Sequence, residues 1–313
     1  MDLQLQALAV DLDRLDGLSP RLVASHHENN YTGAVKRLNA IRGQLAQLDW
    51  ATAPVFVVNG LKREELIAAN SAWLHELYFD CLGGDGALTA GSLAVAIERD
   101  FGSVERWRAE FTALAKAMGG GSGWALLSLS AREGRLLTHW AGDHTQLLAG
   151  ATPVLALDMY EHSYHMDFGA KAAAYVDAFM KNLRFDAVAQ RYRAAVAAGA
   201  LEFGAAPASI ADAKQLVDAR RADAWAQAGD TLAGATWCDP ARLDAWSSEL
   251  DRDVPVLVAC SHGQEVSRSV VLALRARGFD ARYVAGGIEA CRAAGARMSA
   301  PHGRSEGRSH RGP

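Results

Sequence analysis

The chain has no CxxC pair: its four cysteines, Cys81, Cys238, Cys260 and Cys291, are scattered over 313 residues. That argues against both a disulfide framework and a zinc knuckle, and leaves any thiol chemistry to an individual residue. Basic residues are not in excess either. Lysine and arginine number 32 against 36 aspartates and glutamates, a net charge of −4, so there is no extended basic surface for nucleic acid. No apolar run approaches membrane-spanning length, and the opening MDLQLQALAVDLDRLDGL carries acids where a secretory leader would carry basic residues and a clean apolar stretch. A cytoplasmic location is the expectation. The closing SAPHGRSEGRSHRGP lacks apolar side chains to anchor it, so residues 299–313 are expected to be a disordered tail, and His302 and His310 within it are set aside.

What is present is enough for two ordinary cores: half of the residues are hydrophobic. Ser19-Pro20 is a helix start, a capping hydroxyl followed by proline, and the residues to Trp50 carry apolar side chains at helical spacing. This long helix holds His26 and His27. A second helical segment, REELIAANSAWLHELYFDCL, holds His75 and stops at Gly83-Gly84, and SLAVAIERDFGSVERWRAEFTALAKAM reads as a third. WALLSLS, GRLLTHWAGD and TPVLALDMY then read as strands, helix returns from Tyr164 to Gly199, and LEFGAAPAS reads as a linker. Beyond it, strands VPVLVAC and ARYVAGG alternate with helices, which implies right-handed crossovers and a parallel sheet. The expected boundaries are residues 1–205 for a first domain and 206–298 for a second.

Asp158 and His162 stand four apart at the end of an apolar run. A chain turning there would bring both near one point as metal ligands, and the spacing fits a capping carboxylate and a satisfied core histidine as well. The neighbouring residues carry more. LDMYEHSYHMDF resembles the signature of the iron/manganese superoxide dismutases. NSAWLHELYFDCL is similar to that family's second-helix ligand segment, GGGSGWALL to its Gly-Ser-Gly-Trp turn, and SPRLVASHHENNYTGAVKRLN to its first-helix segment. The resemblance covers about residues 15–195.

Carried over by position, it implies that His26, His75, Asp158 and His162 hold one iron or manganese ion per subunit, with iron slightly favoured. Three imidazoles and a carboxylate suit a borderline first-row metal, and redox-inert zinc would fit the donors as well. It further implies an α+β fold, a helical hairpin followed by a portion with a three-stranded antiparallel sheet. It also implies superoxide as substrate and a homodimer in which Glu161 bonds the partner's ligand histidine. The family usually holds the metal's solvent ligand with a glutamine; here His144 in AGDHTQ is the candidate, and Ser71 occupies the other glutamine-bearing position. Three positions depart from the pattern: Ala34 stands at the gateway tyrosine, Asn30 at the neighbouring histidine and Ala172 at the funnel arginine, with Tyr31 and Lys171 close enough in sequence to compensate.

LVDARRADAW, PVLVACSHGQEVSRS and ARYVAGGIEACRAAG resemble a rhodanese domain over about residues 208–297. The resemblance implies a catalytic Cys260 between a parallel strand and the next helix. The loop carries His262 and Gly263 where an arginine is usual, Arg268 is expected inside the helix, and catalytic and inert readings of Cys260 both stand. Cys238 and Cys291 read as core residues. The expected function is superoxide dismutation. The alternative is a rhodanese-like sulfurtransferase or thiol sensor whose first domain is a metal-binding dimerisation scaffold.

Overall fold

The computed structural model of the chain describes residues 2–301. The tail from His302 onward, including His310, lies outside the described residues. The chain divides into two compact units: one runs through Thr89 and takes in Glu105–Ser128 and Leu137–Gln190, and the other is made of Ala90–Val104, Leu129–Leu136 and the chain from Arg191.

In the first unit, α1 (Pro20–Ser25) starts where expected: the Ser19 hydroxyl accepts from the Leu22 N–H at 3.1 Å, and Pro20 occupies the first turn. The long helix expected from there is interrupted. His26–Tyr31 forms a π-turn, in which the Thr32 N–H reaches the His27 carbonyl, before α2 (Thr32–Ala46) resumes. α2 packs against α3 (Val55–Asp80) through Leu38, Ile41 and Leu45 on one side and the small Ala68 and Ala69 on the other. The third expected helix is two, α4 (Ser92–Phe101), which belongs to the second unit, and α5 (Val104–Ala117), because Gly102 at φ +89° ends the first in a left-handed conformation.

β1 (Trp124–Ser130), β2 (Arg135–Ala141) and β3 (Ala151–Asp158) form a three-stranded antiparallel sheet in the order β2-β1-β3. Every residue of β1 is buried, as a central strand requires. After β3 come α6 (His165–Phe168), α7 (Ala172–Lys181) and α8 (Phe185–Gly199), divided first at Gly169, φ +54°.

In the second unit, β4 (Gly204–Ala205), β5 (Gln215–Asp218), β7 (Thr236–Trp237), β8 (Val256–Ala259) and β9 (Ala281–Val284) make a five-stranded sheet in the order β4-β9-β8-β5-β7, with all pairs parallel. Interleaved with them are α9 (Ala222–Ala226), α10 (Leu243–Ser247), α11 (Glu265–Ala276) and α12 (Gly287–Ala293). β6 (Thr231–Leu232) pairs with β10 (Met298–Ser299), so ordered pairing reaches Ser299. Leu216, Leu257, Val284, Ile288 and Cys291 share one core. Among the described residues no helix is long and apolar enough to cross a membrane.

Candidate metal centre

Four side chains from three distant segments meet at one point. His26 comes from the π-turn, His75 from α3, Asp158 from the last position of β3, and His162 from the single 3-10 turn Glu161–Ser163 that follows. One ligand atom from each lies within 4.8 Å of the others. The Asp158 Oδ2 is 3.1 Å from His26 Nε2, 3.1 Å from His162 Nε2 and 3.4 Å from His75 Nε2. The turn is built to hold Asp158: its Oδ1 accepts from the Tyr160 N–H at 2.8 Å, and its carbonyl accepts from the Ser163 and Tyr175 hydroxyls, each at 2.9 Å.

The His75 tautomer decides what the cluster fits. Its Nδ1 lies 2.6 Å from the Ser71 carbonyl, which can only accept, so Nδ1 carries the proton and Nε2 presents a lone pair. That Nε2 is buried and has no hydrogen-bond partner, while it faces the carboxylate oxygen of Asp158. Two electron-pair donors confronting each other in a buried site are costly unless a cation lies between them. A metal ion bound by three imidazoles and one carboxylate satisfies all four donors, so the residues fit such an ion.

The electrostatics agree. Burial works to raise the Asp158 carboxyl, but the hydrogen bonds with His162 and His26 overcome it and hold the group far below the usual carboxylate range. Burial pushes His26 down against the opposing hydrogen bond to Asp158, and pushes His75 down to about 3. The buried histidines are therefore neutral, as ligands must be, beside a fixed negative charge.

His144 stands at the edge of this cluster, with its ring centroid 6.4 Å from that of His75. The Trp124 indole N–H donates to its Nδ1 at 2.9 Å, and the Asn70 amide donates to its carbonyl at 2.5 Å. An indole is only a donor, so His144 Nδ1 accepts, and in the neutral ring that burial favours the proton sits on Nε2. Tyr160 is stacked between His144 and His162, at centroid distances of 5.0 and 5.4 Å. Tyr31 is buried with its hydroxyl donating to Glu76 Oε1 at 2.9 Å, Lys171 and Glu161 are exposed, and Ala34 and Ala172 are buried. Sequence reasoning did not find the supporting roles of Asn70, Trp124, Tyr160 and Tyr175. Only Trp124 carried a signal, its place in GGGSGW.

Cys260, in the second unit, directly follows β8. Its buried Sγ is 3.2 Å from the Ser267 hydroxyl in α11. The loop presses closely on the start of α12: a Cβ on Gly287, φ +63°, would lie 2.2 Å from the Cys260 carbonyl, and one on Gly263, φ +65°, 2.4 Å from the Val284 carbonyl. Arg268, inside α11 as expected, is spent on the loop's own backbone, donating to the Gly263 carbonyl at 3.0 Å. Glu265 at the start of α11 accepts from the Ser92 hydroxyl at 3.3 Å. Cys238 and Cys291 are buried in the same unit.

Residues 89–191 match the family profile described as iron/manganese superoxide dismutases, C-terminal domain. A superoxide dismutase [Fe] of Cupriavidus metallidurans is 66% identical over 193 residues, which is 62% of this chain and 98% of that protein. The chain belongs to the iron/manganese superoxide dismutase family. Similarity extends to a superoxide dismutase [Fe] of Aquifex pyrophilus, 35% identical over 59% of this chain and 88% of that protein. A superoxide dismutase [Mn] of Halobacterium salinarum is 33% identical over 60% of this chain and 94% of that protein. This family member carries more than the dismutase part, because residues 205–294 match the profile of the rhodanese-like domain.

Proposed function

We propose that the protein is a superoxide dismutase, converting two superoxide ions and two protons into dioxygen and hydrogen peroxide. The observation that carries this is the buried His75 Nε2 lone pair aimed at Asp158 among three converging imidazoles. His26, His75, Asp158 and His162 would hold one iron or manganese ion, and the 66% identity to a protein named for iron favours iron. Bound iron or manganese supplies the one-electron couple that oxidises one superoxide and reduces the next. Asp158 contributes a permanent negative charge that favours the higher oxidation state, and the neutral histidines leave that charge uncancelled. His144, its Nδ1 occupied by Trp124, offers an Nε2–H donor that can hold a solvent molecule at the centre. Metal content and dismutase activity of the purified full chain test this reading. A protein that binds neither iron nor manganese and shows no dismutation would overturn it.

We place the functional boundary near residue 205, the protein in the cytoplasm and the assembly as a homodimer. Four free cysteines support a reducing compartment. Glu161 is exposed one residue before His162, free to accept a hydrogen bond from the partner subunit beside the metal site. Glu161→Ala is expected to weaken the dimer by roughly 2 kcal/mol or more, about 30-fold in Kd, because it leaves a buried partner unpaired. Sedimentation of wild type and variant across a dilution series checks this; equal dimer Kd values remove Glu161 from the interface.

A second reading attaches to residues 205–294, as a sulfurtransferase or thiol sensor, with the metal-binding part then serving as a dimerisation scaffold. It is supported by the strand-loop-helix setting of Cys260 and its match to the rhodanese-like profile. The Cys260 thiolate would attack the outer sulfur of a donor persulfide, keep that sulfur as a persulfide and release the donor thiolate. With Arg268 committed and Glu265 beside the loop, thiosulfate, a dianion, is expected to be a poor donor. Cys260 should alkylate faster than Cys238 and Cys291 and gain one sulfur from a persulfide donor by mass spectrometry, with Cys260→Ser gaining none. If it reacts no faster than the other two and gains no sulfur, the second reading falls.

A further inference from the structure

The chain from residue 2 to residue 9 has no regular secondary structure and is largely exposed. It is nonetheless tied down at two points. Asn39 on α2 clasps Leu3, accepting from its N–H at 2.8 Å and donating to its carbonyl at 2.9 Å. Three residues further on, the backbone of Gln6 is held at both of its polar atoms. Its N–H donates to the Tyr31 hydroxyl at 2.9 Å, and its carbonyl accepts from His27 Nε2 at 3.0 Å.

Both partners of Gln6 belong to the π-turn that presents His26: His27 is the residue after it, and Tyr31 closes the turn. The Tyr31 hydroxyl in turn donates a hydrogen bond to Glu76, the neighbour of His75 on α3. A π-turn is a rare departure from the α-helical ladder and persists only where surrounding contacts determine it. The contacts that do so here run from Gln6 to two residues within the turn, and through Tyr31 to the helix that carries a second member of the cluster. His27 and Tyr31 also wall the site, each packing its ring on Phe79, which lies against His26.

We infer that the segment around Gln6 is a strap that sets the π-turn and thereby aims His26, making Tyr31 and His27 positioning residues of the metal site. The inference rests on the four-residue metal reading above. A strap fastened by a few hydrogen bonds on an exposed segment is also readily released, so its state governs how tightly His26 holds the ion.

The test uses the full chain loaded with iron. Gln6→Pro deletes the N–H that Tyr31 accepts, together with an exposed side-chain amide that reaches only the Gln4 carbonyl, at 3.4 Å; Tyr31→Phe deletes the hydroxyl and keeps the ring, and His27→Ala deletes the donor to the Gln6 carbonyl. Each should release iron to a chelator about tenfold faster than wild type and alter the ferric absorption and EPR spectra. His27→Gln, which keeps a donor, should recover most of the loss, and Gln4→Pro, two residues away, should behave as wild type. Wild-type release rates and spectra in all three variants would overturn the strap, and so would an equal effect of Gln4→Pro. Should one variant fail to fold, either of the others decides. A wild-type chain that takes up no metal would instead overturn the site itself.

Discussion

His75→Ala and Asp158→Ala are each expected to strip most of the metal from the protein and to abolish dismutation. The reasons differ. His75 is held by the Ser71 carbonyl so that its lone pair has nowhere to go but the centre, and alanine leaves a three-donor site opening onto a buried void. Asp158 is the single negative charge, and three imidazole nitrogens converge on its Oδ2. Its loss removes the charge that matches a divalent or trivalent ion, and also the carboxylate oxygen that anchors the turn at Tyr160. The Asp158 variant should therefore be the less stable as well, by about 3 kcal/mol or more. Metal content by mass spectrometry, superoxide consumption and far-ultraviolet circular dichroism separate the two effects. Normal metal and normal turnover in either variant would show that these four residues are not the centre.

The helical hairpin and the antiparallel three-stranded sheet were implied by the resemblance alone, whereas the individual helices and strands and the parallel sheet were legible in the sequence, because apolar spacing and turn residues report them locally. The breaks were less so. Gly102 sits in an otherwise helical pattern, and only its left-handed φ distinguishes a helix end from a tolerated interior glycine. The π-turn at His26–Tyr31 has no compositional mark at all, since its apolar residues still fit a helical period and its determinants lie on a distant segment, at Gln6. The convergence of the four candidate ligands was readable only through resemblance: residues separated by up to 136 positions cannot be brought together by spacing arguments. What surrounds them was hidden for the same reason. Nothing local to Asn70 or Tyr160 announces that one grips the backbone of His144 and the other lies between two histidine rings. Nor does the sequence around Arg268 show that its guanidinium is turned onto the loop carbonyl of Gly263 and over the ring of Tyr283.

His144→Ala should keep the metal and slow dismutation by about 10- to 100-fold, with a shifted reduction potential. The residue is held at three points. Trp124 occupies Nδ1, Asn70 fixes the main chain, and Tyr160 covers one ring face. Burial lowers its pKa, so it stays neutral near pH 7 with one proton, on Nε2, to donate. A donor so fixed holds a solvent molecule in one orientation and favours whichever protonation state accepts its hydrogen bond, which is how a residue outside the ligand set moves a potential. Trp124→Phe separates this role from packing: it keeps a ring in the wall but frees His144 to carry its proton on Nδ1. Its rate and potential should therefore move in the same direction as in His144→Ala, by less. His144→Gln, which retains an amide donor, should lie closer to wild type than alanine does. If rate and potential are unchanged in His144→Ala, the side chain only fills the space beside Tyr160, and the solvent molecule must be held by another residue.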